Sequence, residues 1–178
     1  MVSSIEPSPT DLWLDPCMGP GAFISALRDN GFSKDHIVGV DIDAHPSALD
    51  TAAETVRGVD FFDWCTSTTK RFSKVVANPP YVALSKLGAD LQQSVQRLRD
   101  GHDPSFGLRS NYWCAFLAAS LDILSPNGSL AFVLPAAWDY ALYARTLRER
   151  VLSSFKFVEV HRSLEPLFPE VREGRVVL

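Results

Sequence analysis

Cysteine is scarce in this sequence: the 178 residues include three, Cys17, Cys65 and Cys114, at wide spacing. An odd number at such distances forms neither a disulfide framework nor a zinc-binding pattern, so a reducing cytoplasm is the expected compartment. The four histidines also lack the spacing of metal ligands, and we expect no metal. No serine has a recognisable histidine and aspartate context, which argues against a hydrolase.

Positive charge and long apolar runs are lacking as well. The formal net charge is -4 at pH 7, so the chain as a whole has no basic surface for nucleic acid, and such a contact requires a local basic patch or another domain. No apolar run approaches the roughly 20 residues of a membrane-spanning helix. The first residues do not show the basic-then-apolar pattern of a secretory signal, and no membrane partner is expected.

The composition that remains is that of an ordinary globular protein, with 46% hydrophobic and 21% charged residues. Residues 1–10 are rich in serine and proline and are expected to be a disordered or tag-like segment, whereas residues 11–178 suffice for one domain with a substantial core. Because predicted strands and helices alternate, the expected α/β fold is a Rossmann-like, doubly wound and mostly parallel sheet. The predicted strands are 12–15, 36–41, 58–64, 74–77, 129–135, 155–160 and 175–178, and the predicted helices are 22–28, 44–57, 84–99, 112–124 and 140–152.

Polar side chains occur at the predicted carboxyl ends of the first four strands. They are Asp15, Asp41, Asp60 and Asn78. Ligands bind at this edge in parallel sheets. Each placement alone is ordinary, but four independent polar groups at one edge indicate a binding site.

A glycine-rich loop follows the first predicted strand. Gly19 and Gly21 lie between that strand and the next predicted helix, so a ligand can approach the backbone closely at a helix N-terminus. The spacing is not the dinucleotide fingerprint, since no third glycine follows, nor a P-loop, since no Gly-Lys-Ser/Thr follows.

The acid that ends the second predicted strand, Asp41, is placed to accept hydrogen bonds from both ribose hydroxyls of an adenosine group. The next residue, Ile42, is expected to pack on the adenine face. Asp60 and Phe61 are candidates for contacts with the adenine amino group and ring. The alternative role for Asp41 is N-cap of the helix predicted next, a role that Asp43 fills at least as well.

The sequence Asn78-Pro79-Pro80-Tyr81 ends the fourth predicted strand abruptly, because each proline fixes φ and lacks an N–H donor. The turn leaves an amide side chain, carbonyls without a local N–H partner, and an aromatic ring. These groups suit the binding of a planar amine by its hydrogens and stacking on the ring that carries it. The alternative is a plain turn that Asn78 caps, with Tyr81 in the core.

Residues 81–111 form a long polar segment beside this turn, and such a segment is typical of a lid or a substrate-contacting insertion. It contains four basic residues that suit phosphate binding, although a solvated helix face is the alternative for each: Lys86, Arg97, Arg99 and Arg109.

These motifs resemble those of class I S-adenosylmethionine-dependent methyltransferases, and among them the N6-adenine DNA methyltransferases of restriction–modification systems. The resemblance covers nearly the whole chain, in the order of the subgroup whose cofactor motif precedes its catalytic motif. Asn-Pro-Pro-Tyr alone is shared with RNA and protein-glutamine methyltransferases, whereas the form of the first motif favours the DNA enzymes. The matching residues are Asp15-Pro16-Cys17-Met18-Gly19-Pro20-Gly21-Ala22-Phe23, Gly39-Val40-Asp41-Ile42-Asp43, Asp60-Phe61, Asn78-Pro79-Pro80-Tyr81-Val82 and residues 124–135.

The resemblance implies a seven-stranded methyltransferase sheet with S-adenosyl-L-methionine as cofactor. The implied cofactor contacts are Asp15 near the amino end of the methionine part, Pro16, Gly19 and Gly21 in the loop, Asp41 at the ribose, Ile42 on the adenine face, and Asp60 and Phe61 at the adenine.

The implied substrate is an adenine flipped out of DNA, and the implied catalytic motif is Asn78, Pro79, Pro80 and Tyr81. The Asn78 side-chain oxygen and the Pro79 carbonyl would accept hydrogen bonds from the N6 amine, while Tyr81 and Phe168 would stack on the base. Transfer is then an in-line displacement that depends on positioning. No general base is required first, because the amine loses its proton only after it has become cationic.

Two features depart from the family pattern. A segment that closes over the methionine carboxylate in the family is not found in the 14 residues before Asp15, and no recognition domain, usually C-terminal, follows Leu178. We therefore expect an apparently truncated catalytic core that relies on a recognition domain or subunit. The alternatives are methylation of an RNA base or of a release-factor glutamine by the same motif, and a truncated, non-catalytic module.

Overall fold

Two groups of strands and helices make up this computed structural model, which describes residues 1–45, 48–101, 107, 109–163 and 175–177. The chain divides into two compact units, one formed by Met1–Asn78 and Ala119–Ala131 and the other by Pro79–Ala118 and Phe132–Leu178. Each unit therefore combines two separate stretches of the chain.

The secondary structure alternates along most of the chain. The strands are β1 (Trp13–Asp15), β2 (Ile37–Asp41), β3 (Glu54–Arg57), β4 (Phe72–Ala77), β5 (Leu124–Pro135), β6 (His161–Ser163) and β7 (Arg175–Val177). The α-helices are α1 (Ala22–Asp29), α2 (Phe61–Ser67), α3 (Ala89–Gly101), α4 (Tyr112–Ile123), α5 (Ala137–Tyr140) and α6 (Arg145–Ser154).

Apolar and β-branched residues build the parallel strands of the first unit. Val38 and Val40 of β2 are completely buried, as are Val75 and Val76 of β4, which is the pattern of strands covered on both faces. β1 pairs in parallel with β2 and with β4, and β2 pairs in parallel with β3. The strand order is β3-β2-β1-β4-β5, with the first part of β5 in this unit. The predicted Rossmann-like α/β architecture is confirmed.

Residues 1–10 differ from the disordered segment that their composition predicts. Val2–Ile5 forms a 3-10 turn, and the side chains of Val2 and Ile5 pack against a buried cluster that includes Trp13. The Ile5 carbonyl also accepts a 2.6 Å hydrogen bond from Nζ of Lys74, a β4 residue that is only 8% exposed. Apolar contacts and this bond hold a segment whose serine and proline content alone favours disorder.

The second unit contains antiparallel strand pairs. β7 pairs antiparallel with β5 (Val133↔Val177) and with β6 (His161↔Val177), which gives the order β5-β7-β6. Its core includes Trp113 of α4, which is fully buried and packs edge-on against Trp138 with the ring centroids 6.2 Å apart. The mostly parallel sheet expected from the sequence therefore has antiparallel pairing here.

Between residues 44 and 64 the predicted order of helix and strand is wrong. The sequence predicted a helix at 44–57 and a strand at 58–64, whereas β3 occupies Glu54–Arg57 and α2 begins at Phe61. The β-branched Thr55 and Val56 favour a strand. Asp60 accepts a hydrogen bond from the N–H of Phe62 and so caps a helix at the point where the prediction had a strand.

The predicted strand at 155–160 is also wrong. β6 covers His161–Ser163 and pairs with Arg175–Val177 of β7. Phe157, in the segment that alternates like a strand, is 78% exposed. The alternation of residues 155–160 therefore does not correspond to a strand in the part of the chain that the structure describes.

Replacing Lys74 by methionine should loosen the N-terminal 3-10 turn. Methionine retains an apolar stem but cannot donate to the Ile5 carbonyl or to Oγ of Ser129, which lies 3.2 Å from Nζ. We expect the free energy of unfolding to fall by about 1–3 kcal/mol, with faster hydrogen exchange of the amides of residues 2–5. Mass spectrometry of deuterium uptake checks this, with Lys70→Met as the control because the Lys70 ion pair with Glu54 lies at the surface. Equal uptake in both variants would contradict the role assigned to Lys74.

Candidate cofactor and catalytic site

The carboxyl ends of three neighbouring strands bring polar side chains to one edge of the first unit. Asp15 is the last residue of β1, Asp41 is the last residue of β2, and Asn78 directly follows β4. The parallel register pairs Asp15 with Gly39, two residues before Asp41. The structure thus places these three predicted site residues at the same edge of the sheet.

The loop between β1 and α1 has the conformation that its glycines permit. Gly19 has a φ of 48° and Gly21 a φ of 84°, both in the left-handed region that favours glycine. The Gly21 N–H donates to the Met18 carbonyl at 2.7 Å, and the Met18 N–H donates to the Val40 carbonyl of β2 at 3.0 Å. The loop is a tight turn that leaves the backbone of Gly19 exposed, as the predicted close approach of a ligand requires.

Asp41 is bound to backbone donors on both of its carboxylate oxygens. Its Oδ2 accepts from the Gly19 N–H at 2.6 Å, and its Oδ1 accepts from the Asp43 N–H at 2.8 Å. Ala44 and His45, where the helix that Asp41 would have capped was predicted to begin, are not helical, and Asp43 accepts from the His45 N–H at 2.9 Å. Because a carboxylate has about four acceptor positions, Asp41 retains capacity for ribose hydroxyls. Ile42 beside it is 57% exposed, as a residue that packs on a ligand ring would be.

Asp15 is a buried acid, with 1% of its surface exposed. Burial raises the pKa of Asp15 to about 7; the Cys17 N–H bond to its Oδ1, at 3.3 Å, opposes the increase, and the nearby charge of Asp41 adds to it. A cationic group bound at this edge would restore the ionised form. The site therefore favours a ligand that carries positive charge.

Cys17 connects the ends of β1 and β4, a relation that the motif alone did not reveal. Cys17 lies in the turn after β1, and the N–H of Asn78, which follows β4, lies within reach of its thiol. Burial and then the charge of Asp15 raise the pKa of the Cys17 thiol well above its usual value, while that N–H opposes the increase. The thiol therefore remains protonated near neutral pH and is not a nucleophile.

Asp60 and Phe61 begin a helix rather than end a strand. Oδ1 of Asp60 accepts from the Phe62 N–H at 2.8 Å. The ring of Phe61 is 3% exposed and packs against the rings of Phe62 and Trp64, at centroid distances of 5.7 and 6.2 Å. Asp60 is still partly exposed in the loop after β3, whereas the Phe61 ring belongs to the aromatic core of the unit.

The catalytic motif predicted from the sequence begins directly at the end of β4. Asn78 and Pro80 are exposed, and Pro79 is buried. In the second unit, the half-buried Tyr81 donates from its hydroxyl to the Val133 carbonyl of β5 at 3.0 Å. This bond fixes the orientation of the Tyr81 ring. The second predicted stacking residue, Phe168, lies outside the described residues.

The predicted insertion at 81–111 is closed at its base. The Tyr112 N–H donates to the Val82 carbonyl at 2.7 Å, and the Leu84 N–H donates to the Ser110 carbonyl at 3.1 Å. These two hydrogen bonds therefore hold the two ends of the polar segment together. Of its predicted basic patch, Lys86, Arg97 and Arg109 are exposed, and Arg99 is half-buried.

Within the described ranges, no cluster of three or more side chains suited to a metal ion occurs. None of the helices in those ranges has the length and apolar character that crossing a membrane requires.

Relatives of this chain occur among restriction–modification enzymes. The family model described as Eco57I restriction-modification methylase matches residues 27–168. Over 128 residues the chain is 31% identical to Type II methyltransferase M.TthHB8I of Thermus thermophilus, a match that covers 70% of this chain and 29% of that protein. The chain spans less than a third of the length of the curated relatives it matches.

Solved structures share the fold. The type IIG restriction endonuclease BpuSI superposes with a TM-score of 0.71 at 20% identity, over 96% of this chain and 22% of that chain. A Listeria monocytogenes protein described as a class I S-adenosylmethionine-dependent methyltransferase superposes with a TM-score of 0.63 at 17% identity, over 97% and 54% of the two chains. These likenesses establish the Rossmann-like methyltransferase fold.

Replacing Asp15 by asparagine should stabilise the protein in a pH-dependent way. Asp15 has a pKa of about 7 in the folded chain and an ordinary value of 3.8, so the unfolded chain loses this proton first and stability falls as pH rises between these values. The variant lacks that penalty. We expect its free energy of unfolding to exceed that of the native protein by a few kcal/mol above pH 7, and by much less below pH 4.

Urea unfolding at pH 4 and pH 8 measures this difference. The control is Asp43→Asn, since the hydrogen bonds from His45 lower the pKa of this exposed acid instead of raising it. An Asp15→Asn effect of the same size at both pH values would contradict the assignment.

Proposed function

The chain belongs to the Eco57I restriction-modification methylase family, and from this premise we propose that it binds S-adenosylmethionine and transfers the methyl group to the N6 amine of an adenine flipped out of DNA. The observation that carries the proposal is the meeting of Asp15, Asp41 and the exposed Asn78 at one sheet edge, beside a glycine loop at positive φ. This cofactor and an exocyclic amine require such groups: two acids, an amide, and a loop whose backbone a ligand can approach closely.

The residues at the edge fit the parts of S-adenosylmethionine. Its ammonium and sulfonium groups carry positive charge, and the raised pKa of the buried Asp15 is lowered again by such a neighbour. The loop that begins with Pro16 and contains Gly19 and Gly21 would admit the methionine part, since no side chain stands at either glycine. When bound, the cofactor supplies an electrophilic methyl group.

The adenosine part would lie over the ends of β2 and β3. The ribose hydroxyls would donate to Asp41, and Ile42, at 57% exposure, would cover one face of the adenine. Asp60 would accept from the adenine amine. Because the Phe61 ring packs in the core, Phe61 would contribute through its backbone rather than by stacking.

The proposed catalytic residues act by positioning the acceptor amine. Oδ1 of Asn78 and the carbonyl of Pro79 accept its two hydrogens, so that its lone pair points toward the methyl group. Pro80 keeps the turn rigid, since proline fixes φ. Tyr81 stacks on the base with its ring held by the hydroxyl bond to the Val133 carbonyl. Phe168 keeps its proposed role as a second stacking residue.

DNA is the proposed substrate because the matched family is one of restriction–modification methylases. Residues 11–178 would be the methyltransferase domain, with 81–111 as a substrate-contacting insertion. Since the net charge is -4, we assign sequence recognition to another domain or subunit. The three cysteines are free thiols, which suits the proposed cytoplasmic location.

Removing the Asn78 amide should abolish methylation without abolishing cofactor binding. Since Asn78 contacts the acceptor and not the cofactor, Asn78→Ala is expected to lower the methylation rate by about 100-fold or more, with S-adenosylmethionine affinity changed by less than about threefold. The assay is transfer of a tritiated methyl group to unmethylated DNA, followed by nucleoside analysis for N6-methyladenine. Asn30→Ala is the matched control, since Asn30 lies at the C-terminal end of α1.

The outcomes of this assay distinguish methylation of adenine in DNA from methylation of another base or another class of acceptor. Label in N6-methyladenine that Asn78→Ala abolishes supports the proposal. Label in N4-methylcytosine would overturn the adenine assignment, and label in RNA or a release factor with none in DNA would overturn the DNA assignment. Full activity of Asn78→Ala would remove Asn78 from the catalytic motif.

A further inference from the structure

The glycine loop is attached to β2 by three contacts that involve no ligand. The Met18 N–H donates to the Val40 carbonyl at 3.0 Å, and the Gly19 N–H donates to Oδ2 of Asp41 at 2.6 Å. The Met18 side chain, 3% exposed, covers Gly39, where a Cβ would lie 2.5 Å from the Met18 sulfur. We call these contacts of Met18 and Gly19 with residues 39–41 the β2 clamp.

We infer that Asp41 is a positioning residue for the glycine loop in addition to its proposed contact with the cofactor ribose. Through Oδ2 it holds the Gly19 backbone in the conformation that receives the methionine part, before any cofactor is bound. This inference rests on the proposed function for the identity of the ligand, but the clamp itself is a property of the ligand-free chain.

The chemistry of the Gly19 contact makes it suited to this task. A hydrogen bond from a backbone N–H to a carboxylate is charge-assisted and stronger than one between neutral groups. Gly19 has a φ of 48°, and a glycine without a partner samples many other conformations. The carboxylate is itself oriented by the Asp43 N–H at 2.8 Å on Oδ1. Asp41 is therefore a fixed acceptor for a flexible residue.

The apolar part of the clamp depends on the missing side chain of Gly39. A Cβ there would lie 2.8 Å from Cδ1 of Ile24 as well as against Met18. Glycine at this strand position lets Met18 lie flat on β2, and that brings the next residue, Gly19, within reach of Asp41. The glycine at position 39 and the packing of Met18 against it therefore favour the same conformation of the glycine loop.

The glycine loop of the binding site is therefore ordered when the chain folds, before any ligand binds. A ligand that meets a preordered loop loses less free energy to immobilising it. Loss of the Asp41 carboxylate should therefore weaken ligand binding in two ways. The ribose loses its hydrogen-bond acceptor, and the glycine loop loses the contact that holds Gly19.

The loop contribution can be read without ligand from the backbone amide of Gly19 by NMR. A strong bond to a carboxylate should move its proton resonance downfield and slow its hydrogen exchange. We expect Asp41→Ala to shift this resonance upfield and to speed exchange about tenfold or more, Asp41→Asn to restore part of both because its amide oxygen still accepts, and the control Asp43→Ala to leave both unchanged. A Gly19 amide that is the same in native protein and Asp41→Ala would overturn the inference.

The second arm measures affinity for S-adenosylhomocysteine and for its 2′,3′-dideoxy analogue, which lacks the ribose hydroxyls. If Asp41 acts on the ribose alone, Asp41→Ala leaves the affinity for the analogue unchanged, and this result would overturn the inference. If it also positions the loop, the analogue should bind about tenfold more weakly to the variant, and S-adenosylhomocysteine more weakly still. Failure of the folded native chain to bind either compound would overturn the proposed function, whereas the Gly19 resonance would still decide the clamp.

Discussion

The parallel pairing of β1 with β2 on one side and with β4 on the other is the constraint on which the candidate site depends. Because the three strands run in one direction, their carboxyl ends lie at one edge, and this brings Asp15, Asp41 and Asn78 together. A shift of one residue in a register would turn every side chain of that strand to the opposite face. The buried valines of β2 and β4 oppose such a shift, so hydrophobic packing within the strands sets the positions of the polar groups at their ends.

The acids at this sheet edge favour the binding of a cationic ligand, whereas in the ligand-free chain their proximity is destabilising. Asp15 is buried with a pKa raised to about 7, and the charge of Asp41 contributes to that increase. The negative charges of Asp15 and Asp41 repel each other, but both attract a ligand that carries sulfonium and ammonium groups. The glycine loop between these acids is held by hydrogen bonds to β2, the strand that also supplies Asp41.

The sequence predicted most of the first unit because its signals are local. The valines of β2 and β4 predict buried strands, and the chain stops helix α1 at Asn30 next to glycine. The segment between residues 44 and 64 was predicted wrongly, because β3 is stabilised by pairing with β2 and Asp60 caps the helix that follows it. The hydrogen bond from Gly19 to Asp41 and the proximity of Cys17 to Asn78 depend on how neighbouring strands pair, which the spacing of motifs along the sequence does not reveal. The burial of the Phe61 ring depends likewise on packing with Phe62 and Trp64.

Calorimetric titration of the folded chain with S-adenosylmethionine decides whether this sheet edge binds that cofactor. We expect one molecule to bind per chain, with an affinity that rises between pH 6 and pH 8 as Asp15 becomes ionised. Absence of binding across this range, by a chain whose circular dichroism shows it to be folded, would rule out a cofactor site at this edge.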